Sequence, residues 1–524
     1  MLFSHYFQTL RCLKIKQIQY QIWYRLRKRK PFAYSLSRQK EAVPLKLKPI
    51  IPKYICLEGK NVFTFLNQTA SFTHWDDDTF GKLWSYNLNY MDYLLQSEVP
   101  IAKGREWVNQ FISDIRNNTN GLDPYPIALR GINWIKFMSI HQASISGTER
   151  KEWDASLYTQ YLILLDNIEY HLLGNHLLED AFSLLWGGLY FQNEKIYYKA
   201  ENVLRKELKE QILQDGAHFE LSPMYHCLLL DRLLDCINAT KNNLRFAKQS
   251  DLVSLMEEKA MKMLGWLDAI IYTDGTIPLL NDAANGIAPV PAEIFAYAER
   301  LGLTWKKAVL KDSGYRKFES PQLEMILDIG KIGPGYIPGH AHADTFTYEL
   351  RINKAPFVID TGISTYNLSD RRTYERGTSA HNTVTIDNEN SSEIWSAFRV
   401  GKKAKIMSLI EHENYICGQH DGFKNKGIIH ERSYSFSPSH ITIKDRLISK
   451  GKKKGVNRII LHPEVKIESI FDNKIQTNKA LIQFSKNAIV STEIGKVSFE
   501  YNILRENTII FVQFNNEMEY TISI

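Results

Sequence analysis

The spacing of apolar residues changes once along the chain, and this change limits the folds that the sequence can adopt. From Trp75 to about Gly302 the apolar side chains recur mainly at helical spacing, as in Met256–Ile271. From about Gln322 onward the apolar segments are short, rich in β-branched residues and alternating, as in His440–Lys444. The sequence therefore predicts an array of paired helices followed by an antiparallel β-sandwich.

A charged stretch from Lys306 to Ser320 separates the two patterns. We expect an N-terminal arm and lead-in segment in residues 1–74, a helical domain in residues 75–320 and a strand domain in residues 321–524. A chain of 524 residues with 44% hydrophobic residues is too long for one core and can bury several.

The charge of the chain is weakly basic, because Lys and Arg outnumber Asp and Glu by 65 to 58. This excess mildly favours an anionic partner. Nucleic acid is not expected, since no nucleic-acid-binding motif is present and the aromatic residues are spread along the whole chain. An anionic polysaccharide fits the charge, and aromatic side chains can form platforms for sugar rings. Five cysteines without a CxxC pair argue against a disulfide framework.

Residues 1–30 mix apolar and aromatic residues with Lys and Arg, and they lack the apolar core and cleavage site of a signal peptide. An amphipathic stretch there is followed by a basic run, which fits either a solvated face or contact with an anionic membrane surface. The run consists of Arg25, Arg27, Lys28, Arg29 and Lys30. No window of about 18 apolar residues is found, so no transmembrane span is expected.

Two segments of the helical half carry groups suited to binding an acidic substrate. The segment Arg130–Trp134 is predicted to open a helix, where its guanidinium fits either a bidentate carboxylate contact or helix capping and packing. In the next segment His176 and Glu179 share a helix face, so the carboxylate can orient the imidazole. Asn175 starts the same helix and fits an N-cap equally well.

A third segment, Asp215–His226, is a polar loop that enters a helix through Pro223. Tyr225 lies in the first turn of that helix, where its hydroxyl can project into a cavity or pack at the rim of the core. The ionisable groups around Tyr225 give the functional interpretation equal weight with packing.

The strand half contains a group of histidine and aspartate residues. Alternate residues of a strand face the same side, so His340 and His342 are expected to point together. Asp360 and His381 are expected on neighbouring strands. Two histidines and one aspartate form a common zinc site, and the alternative is a hydrogen-bonded polar network at the domain interface.

These motifs together resemble the heparinase II/III superfamily. The resemblance runs through roughly residues 75 to 450, with the motifs in the expected order. In the helical half it rests on Leu83–Asn89, Arg130–Trp134, Asn175–His176 and Tyr225–His226. In the strand half it rests on His340–Asp344, Asp360–Gly362, Arg376–Thr378 and Ala380–Thr383.

The resemblance implies an incomplete (α/α) toroid whose cleft is closed from one side by an antiparallel β-sandwich. It implies a lyase that cleaves a uronate-containing glycan by β-elimination, leaves a 4,5-unsaturated end and needs no organic cofactor. It suggests a periplasmic protein, whereas the lack of a visible signal peptide taken at face value suggests a cytoplasmic one. The glycan, its linkage, endo or exo action and the oligomeric state stay open.

The resemblance also implies roles for individual residues. Asn175 or His176 corresponds to the group that neutralises the substrate carboxylate, Tyr225 to the catalytic tyrosine and His340 to the catalytic histidine. Substrate contacts are expected from Arg130, Asn133, Glu179 and Arg376. A structural divalent metal, commonly zinc in some relatives, is expected at His342, Asp360 and His381.

Two other functions stay open at this point. A glycoside hydrolase on the same toroid requires a pair of carboxylates at a defined separation. The candidates for such a pair are Glu179, Asp215, Glu220 and Asp282. The second alternative is a glycan-binding protein without catalytic activity.

Overall fold

The computed structural model describes residues 11–27, 42–54, 56–58 and 61–524. Its helices precede nearly all of its strands, as the change in apolar spacing predicts. The α-helices are α1 Ile15–Leu26, α2 Lys82–Tyr90, α3 Ile101–Asp114, α4 Pro124–Ile140, α5 Gly147–Asp166, α6 Gly174–Tyr190, α7 Glu194–Gln211, α8 Pro223–Lys241, α9 Gln249–Ile270, α10 Pro291–Arg300 and α11 Asp370–Glu375.

Local sequence signals fix the starts of several helices. Ser146 and Glu149 form a capping box at the start of α5, where each side chain accepts a hydrogen bond from the other residue's backbone amide. Ser222 caps α8, and Pro223 follows it in the first turn. Helix α6 is buried almost throughout and packs against α4, α5, α7 and α8, so it forms the centre of the helical domain.

The strands form five antiparallel sheets. A small sheet, β1 to β3, lies in the lead-in segment, and the strand domain contains an eight-stranded sheet, two four-stranded sheets and one two-stranded sheet. The strands are β1 Leu57–Glu58, β2 Val62–Phe65, β3 Gln68–Ser71, β4 Tyr315–Glu319, β5 Leu323–Asp328, β6 Tyr348–Ile352, β7 Ala355–Val358, β8 Val384–Thr385, β9 Ile394–Trp395, β10 Arg399–Val400, β11 Ile406–His412, β12 Tyr415–His420, β13 Ile429–Phe436, β14 His440–Ile448, β15 Lys454–Ile460, β16 Ile467–Phe471, β17 Lys474–Thr477, β18 Leu481–Phe484, β19 Ile489–Glu500, β20 Ile503–Asn515 and β21 Glu517–Ser523.

One hydrophobic core in the strand domain joins residues of the eight-stranded sheet to residues of both four-stranded sheets, which makes this domain a sandwich. The two domains meet along the segment that follows α9. There the Asp282 amide donates to the His340 carbonyl oxygen at 3.1 Å, and the Asn285 amide donates to Phe499 at 2.8 Å. The first bond holds the loop that carries His340 against the helical domain, and the second holds strand β19 against it. Among the described residues, no helix is long and apolar enough to cross a membrane.

Candidate active site

A cleft between the two domains brings together the four residues predicted to be catalytic. A cavity of about 370 Å³ is lined by Asn175, His176, Tyr225 and His340, and a second cavity of about 450 Å³ lies beside it. Asn175, His176, His340 and Phe398 line both cavities. These four residues therefore line one cleft.

Asn175 is placed by an unusual start of helix α6. Leu173 and Gly174 both have positive φ angles, 64° and 58°. A Cβ on Gly174 would lie 2.6 Å from Oε1 of Glu220, so glycine is needed at this position. Asn175 does not cap the helix; its backbone amide and its Nδ2 donate to the two carboxylate oxygens of Glu220 at 3.0 and 3.1 Å. The glutamate thereby fixes the amide at the cleft wall.

His340 is held from its Nδ1 side by Asp282. Nδ1 lies 2.9 Å from Oδ2 of Asp282, so the proton resides on Nδ1 and the lone pair of Nε2 faces the cleft. Nε2 accepts from Nδ2 of Asn175 at 3.3 Å. Burial by itself raises the pKa of Asp282, but the Arg372 guanidinium, with bonds of 2.6 and 2.7 Å, and the two histidines hold this pKa well below its usual range. Asp282 therefore stays ionised and orients His340.

The Tyr225 ring lies against the His340 ring, with centroids 3.9 Å apart. The helix cap at Ser222 positions the tyrosine, because the Ser222 hydroxyl accepts a hydrogen bond from the Tyr225 amide at 3.2 Å. The Tyr366 hydroxyl donates to the Tyr225 hydroxyl at 3.3 Å. Burial raises the pKa of Tyr225, so its phenol keeps its proton at neutral pH and is able to act as a proton donor.

His176 is paired with a carboxylate behind it. Nδ1 lies 2.9 Å from Oε2 of Glu169, and the imidazole is tilted by 53° against the ring of Tyr125, with ring centroids 4.7 Å apart. Burial lowers the pKa of His176, but the charge and hydrogen bond of Glu169 outweigh this effect, so the net pKa is raised. The pair therefore favours an imidazolium at the cleft.

Three of the residues predicted to contact substrate serve the scaffold instead. Arg130 lies in the middle of α4, not at a helix start, and its guanidinium donates to Gln160 and to the carbonyls of Asn89 and Gly121. Its side chain is completely buried. Asn133, also in α4, is buried and donates to the Tyr90 carbonyl at 2.9 Å.

Arg376 is buried as well and donates to the Ala341 carbonyl oxygen at 3.0 Å. It therefore supports the loop of His340 and His342 from behind. Glu179 differs from these residues because it lines the cleft, where burial raises its pKa to about 7. Of the four residues expected to contact the substrate, Glu179 is therefore the one that lines the cleft.

The predicted metal residues lie behind the cleft in a buried network. His342 is in a loop, not a strand, and its Nε2 bonds Oδ1 of Asp282 at 2.8 Å. Nδ1 of His381 bonds Oδ2 of Asp360 at 2.7 Å. The rings of His342 and His381 are 5.3 Å apart, and Nδ1 of the first and Nε2 of the second are buried without a hydrogen-bond partner.

These two free nitrogen atoms suit a metal, but both carboxylate oxygens of Asp360 are engaged, because Oδ2 bonds Nδ1 of His381 and Oδ1 accepts from the Gly362 amide. Within the described ranges, no group of three or more His, Cys, Asp and Glu side chains is arranged to hold a metal ion. The metal site stays a prediction, and no chemical step is derived from it.

Sequence reasoning did not assign the supporting residues of this site. Glu169, Tyr366 and Arg372 carry no motif that marks them, and they reach the site only through the fold. Asp282 and Glu220 were considered as hydrolase carboxylates, whereas the structure places them as partners of His340 and Asn175. The polar loop around Glu220 was a usable signal for that residue.

The cations that line the cavity of about 370 Å³ are paired within the protein. Lys53 lies 2.7 Å from Asp92, and Lys82 lies 3.0 Å from Asp123. Arg232 lies 3.4 to 3.9 Å from carboxylate oxygens of Asp231, Asp235 and Glu179. An anionic ligand in this cavity would therefore contact aromatic side chains and basic side chains that are already paired with carboxylates. His176 is a further cation there when it is protonated.

The structure has a helical domain closed by a β-sandwich, with asparagine, tyrosine and histidine in the shared cleft. This is the arrangement that the resemblance to the heparinase II/III superfamily implies. Two models of one family cover most of the chain: Heparinase II/III N-terminus matches residues 151–299, and Heparinase II/III-like, C-terminal matches residues 303–524. The chain belongs to the heparinase II/III-like family.

Similar proteins include two heparin-sulfate lyases. The one from Pedobacter heparinus is 26% identical over 372 residues, which cover 63% of this chain and 54% of that protein. The one from Bacteroides stercoris is 23% identical over 423 residues, which cover 72% of this chain and 59% of that protein. The chain thus spans a little over half the length of these curated relatives.

Solved structures share the fold. Heparinase III superposes with a TM-score of 0.63 at 16% identity, covering 84% of this chain and 76% of that one. The chondroitin AC lyase of Streptomyces coelicolor A3 superposes with a TM-score of 0.52 at 9% identity, covering 85% of this chain and 74% of that one. The predicted toroid followed by a sandwich is confirmed.

Proposed function

We propose that the chain is a polysaccharide lyase that cleaves a uronate-containing glycan by β-elimination. The observation that carries this proposal is the contact of the Tyr225 and His340 rings beside Asn175, with ring centroids 3.9 Å apart. These three side chains are suited to serve as an acid, a base and a donor to the substrate carboxylate. The heparin-sulfate lyases among the relatives support the same chemistry.

The first requirement of the reaction is to neutralise the substrate carboxylate. The C5 proton of a uronate lies α to that carboxylate, so its removal adds negative charge beside an existing negative charge. The imidazolium of His176 is a donor on the cleft wall that is suited to this charge, and so is the Nδ2 group of Asn175 once its hydrogen bond to His340 passes to the substrate. Glu220 and Glu169 hold them in place from behind.

The second requirement is a matched base and acid. In the proposed step Nε2 of His340 takes the C5 proton, and the electron pair forms the C4–C5 double bond. The C4–O4 bond then breaks, and the Tyr225 hydroxyl gives its proton to the departing oxygen. Both residues exchange protons with solvent after the product leaves. For the opposite C5 epimer, Tyr225 would serve as base as well as acid.

The carboxylates proposed for a hydrolase are engaged elsewhere, which favours the lyase. Asp215 accepts hydrogen bonds from Lys311 and Ser313 at the domain boundary. Asp282 is bound by Arg372 and two histidines, and Glu220 is bound by Asn175. Of the candidates, Glu179 alone lines the cleft without a bond shorter than 3.9 Å to a basic group.

A panel of acidic polysaccharides tests the proposal. Unsulfated, sulfated and bacterial uronate polymers are each incubated with the protein, and the unsaturated product is followed by its ultraviolet absorbance. We expect at least one polymer to give this absorbance together with new chain ends. New reducing ends without absorbance would indicate a hydrolase, and binding without cleavage would indicate a glycan-binding protein.

A further inference from the structure

Helix α1 has one face packed on the protein and one face that is open and apolar. On the packed side, Nε2 of Gln17 donates to the Leu172 carbonyl at 3.1 Å, and the Tyr24 hydroxyl donates to Ile168 at 2.5 Å. The open side follows an i, i+7, i+8, i+11 spacing, which is one stripe of a helix. It consists of Ile15, Ile22, Trp23 and Leu26, with 75%, 53%, 55% and 77% of their surfaces exposed.

The positive charge of the chain is concentrated in the N-terminal sequence to which this stripe belongs. Residues 1–40 contain ten Lys and Arg and no Asp or Glu, whereas the rest of the chain has 55 basic and 58 acidic residues. Arg11 and Arg25 are exposed on the helix segment itself. Lys28, Arg29 and Lys30 continue the basic run in the sequence and lie outside the described residues. The N-terminal part is thus cationic, and the remainder of the chain is slightly acidic.

We propose that α1 is a surface anchor for an anionic lipid bilayer. In this arrangement Ile15, Ile22, Trp23 and Leu26 enter the headgroup boundary while the exposed Arg11 and Arg25 contact lipid phosphates. An exposed tryptophan in an apolar stripe with basic flanks is typical of helices that lie in the membrane interface. A soluble polyanion would satisfy the basic residues but would leave the apolar stripe in water.

The anchor also bears on the cleft, because the opposite side of α1 forms part of its wall. Gln17 and Gln21 line the cavity of about 450 Å³ next to His340. Binding through the open face would therefore place α1 between this end of the cleft and the bilayer. The proposal does not depend on the lyase activity, since it uses other residues and a different readout.

Vesicle flotation tests the anchor. The full chain is mixed with vesicles of phosphatidylcholine alone and with vesicles in which about a third of the lipid is phosphatidylglycerol. We expect binding to the anionic vesicles, weakened by added salt, and little binding to the neutral ones. The triple change Ile22→Ser, Trp23→Ser, Leu26→Ser should lower the partition coefficient at least about tenfold. Arg25→Gln should lower it about fivefold.

A matched control uses apolar residues that are equally exposed elsewhere. Ile489 and Ile494 are 67% and 72% exposed on β19, and the double change to serine should leave vesicle binding unchanged. Thermal melting followed by circular dichroism confirms that each variant is folded. The proposal is overturned if the triple variant floats like the unmodified protein, if neutral vesicles bind equally well, or if only soluble dextran sulfate is bound. Arg25→Gln with unchanged binding would also contradict it.

Discussion

Two buried clusters in this molecule are built from the same chemical groups, and only one of them reaches the cleft. At the domain interface Asp282 is held by a bidentate Arg372 and by two histidines. Inside the sandwich Asp445 is held by a bidentate Arg432 and by His430. In both clusters the arginine and its neighbours lower the pKa of an aspartate against the effect of burial, to about 2 for Asp445.

The two clusters differ in how far their side chains are exposed. The side chains of Asp445, Arg432 and His430 are completely buried, whereas the His340 side chain keeps 12% of its surface exposed. An ionised aspartate under an arginine is therefore a structural unit that the fold uses twice. It becomes part of an active site only where one histidine has its second nitrogen in a cleft. Changes at the cleft should affect the reaction rate, and changes in the sandwich should affect stability alone.

The largest effect is expected from Tyr225→Phe. The change removes only the hydroxyl that is proposed to protonate the leaving oxygen, so the protein should fold and bind glycan normally. General acid groups contribute about 10² to 10⁴ in rate, and we expect kcat to fall by that factor. The measurement uses a polysaccharide that the unmodified protein cleaves.

Tyr86→Phe is the control for this prediction. Tyr86 lines the same cavity, but its hydroxyl donates to Asp123 at 2.7 Å and lies outside the proposed proton path. Its kcat should change less than about tenfold. A Tyr225→Phe protein that forms the unsaturated product at nearly the original rate would show that Tyr225 is a packing residue.

Arg432→Met is expected to cost stability without changing the chemistry. It leaves Asp445 as an uncompensated buried charge, which costs about 3 to 5 kcal/mol of unfolding free energy. The folded pKa of Asp445 then rises, so the loss should be greatest near neutral pH and smaller as pH falls towards the pKa of the unfolded chain. Urea titrations at several pH values measure this effect.

The matching change Arg372→Met sharpens the comparison. It should destabilise the protein to a similar degree and also slow the molecules that stay folded, because His340 loses its fixed orientation. Equal rates per folded molecule for Arg372→Met and Arg432→Met would contradict the distinction between the two clusters.

The sequence was sufficient for the fold and for four residues of the cleft, because each of these four lies in a local motif: Asn175, His176, Tyr225 and His340. It was not sufficient to predict the direction in which individual side chains point. Arg130 was expected to bind a carboxylate, but α4 turns its guanidinium towards buried backbone carbonyls. His340 and His342 were expected to be aligned by a strand, whereas both are in a loop and are aligned by Asp282. A partner 58 residues away leaves no local signal in the sequence.

A smaller effect is expected from Glu169→Gln. The charge of Glu169 keeps the pKa of His176 raised against the lowering effect of burial. In the unmodified protein this pair stabilises the fold at pH values below the unfolded pKa of histidine, and the stabilisation is lost as pH rises through the raised folded pKa. Without the carboxylate, the imidazolium should be lost at lower pH.

The expected result for Glu169→Gln is therefore that the fall of kcat/KM with rising pH shifts to lower pH, by about one pH unit or more. The measurement is kcat/KM against pH with a glycan that the unmodified protein cleaves. His176→Gln serves as the control, and it should remove this part of the pH dependence altogether. An unshifted profile in Glu169→Gln would mean that His176 does not bind the substrate as a cation.

The smallest effect concerns the predicted metal, which tests whether the region behind His340 is more than a hydrogen-bonded network. The unpartnered donor atoms there are Nδ1 of His342, Nε2 of His381 and Oδ2 of the neighbouring Asp344. Asp360 orients His381. If they bind zinc, purified protein should contain about one equivalent, at about 2.0 to 2.1 Å from each nitrogen. Chelation should then lower the melting temperature by a few degrees, since a ligand bound only by the folded state stabilises it. His381→Ala should lose the metal, whereas His430→Ala in the sandwich should keep it. No stoichiometric metal, together with unchanged melting after chelation, would make this region a second structural network like that around Asp445.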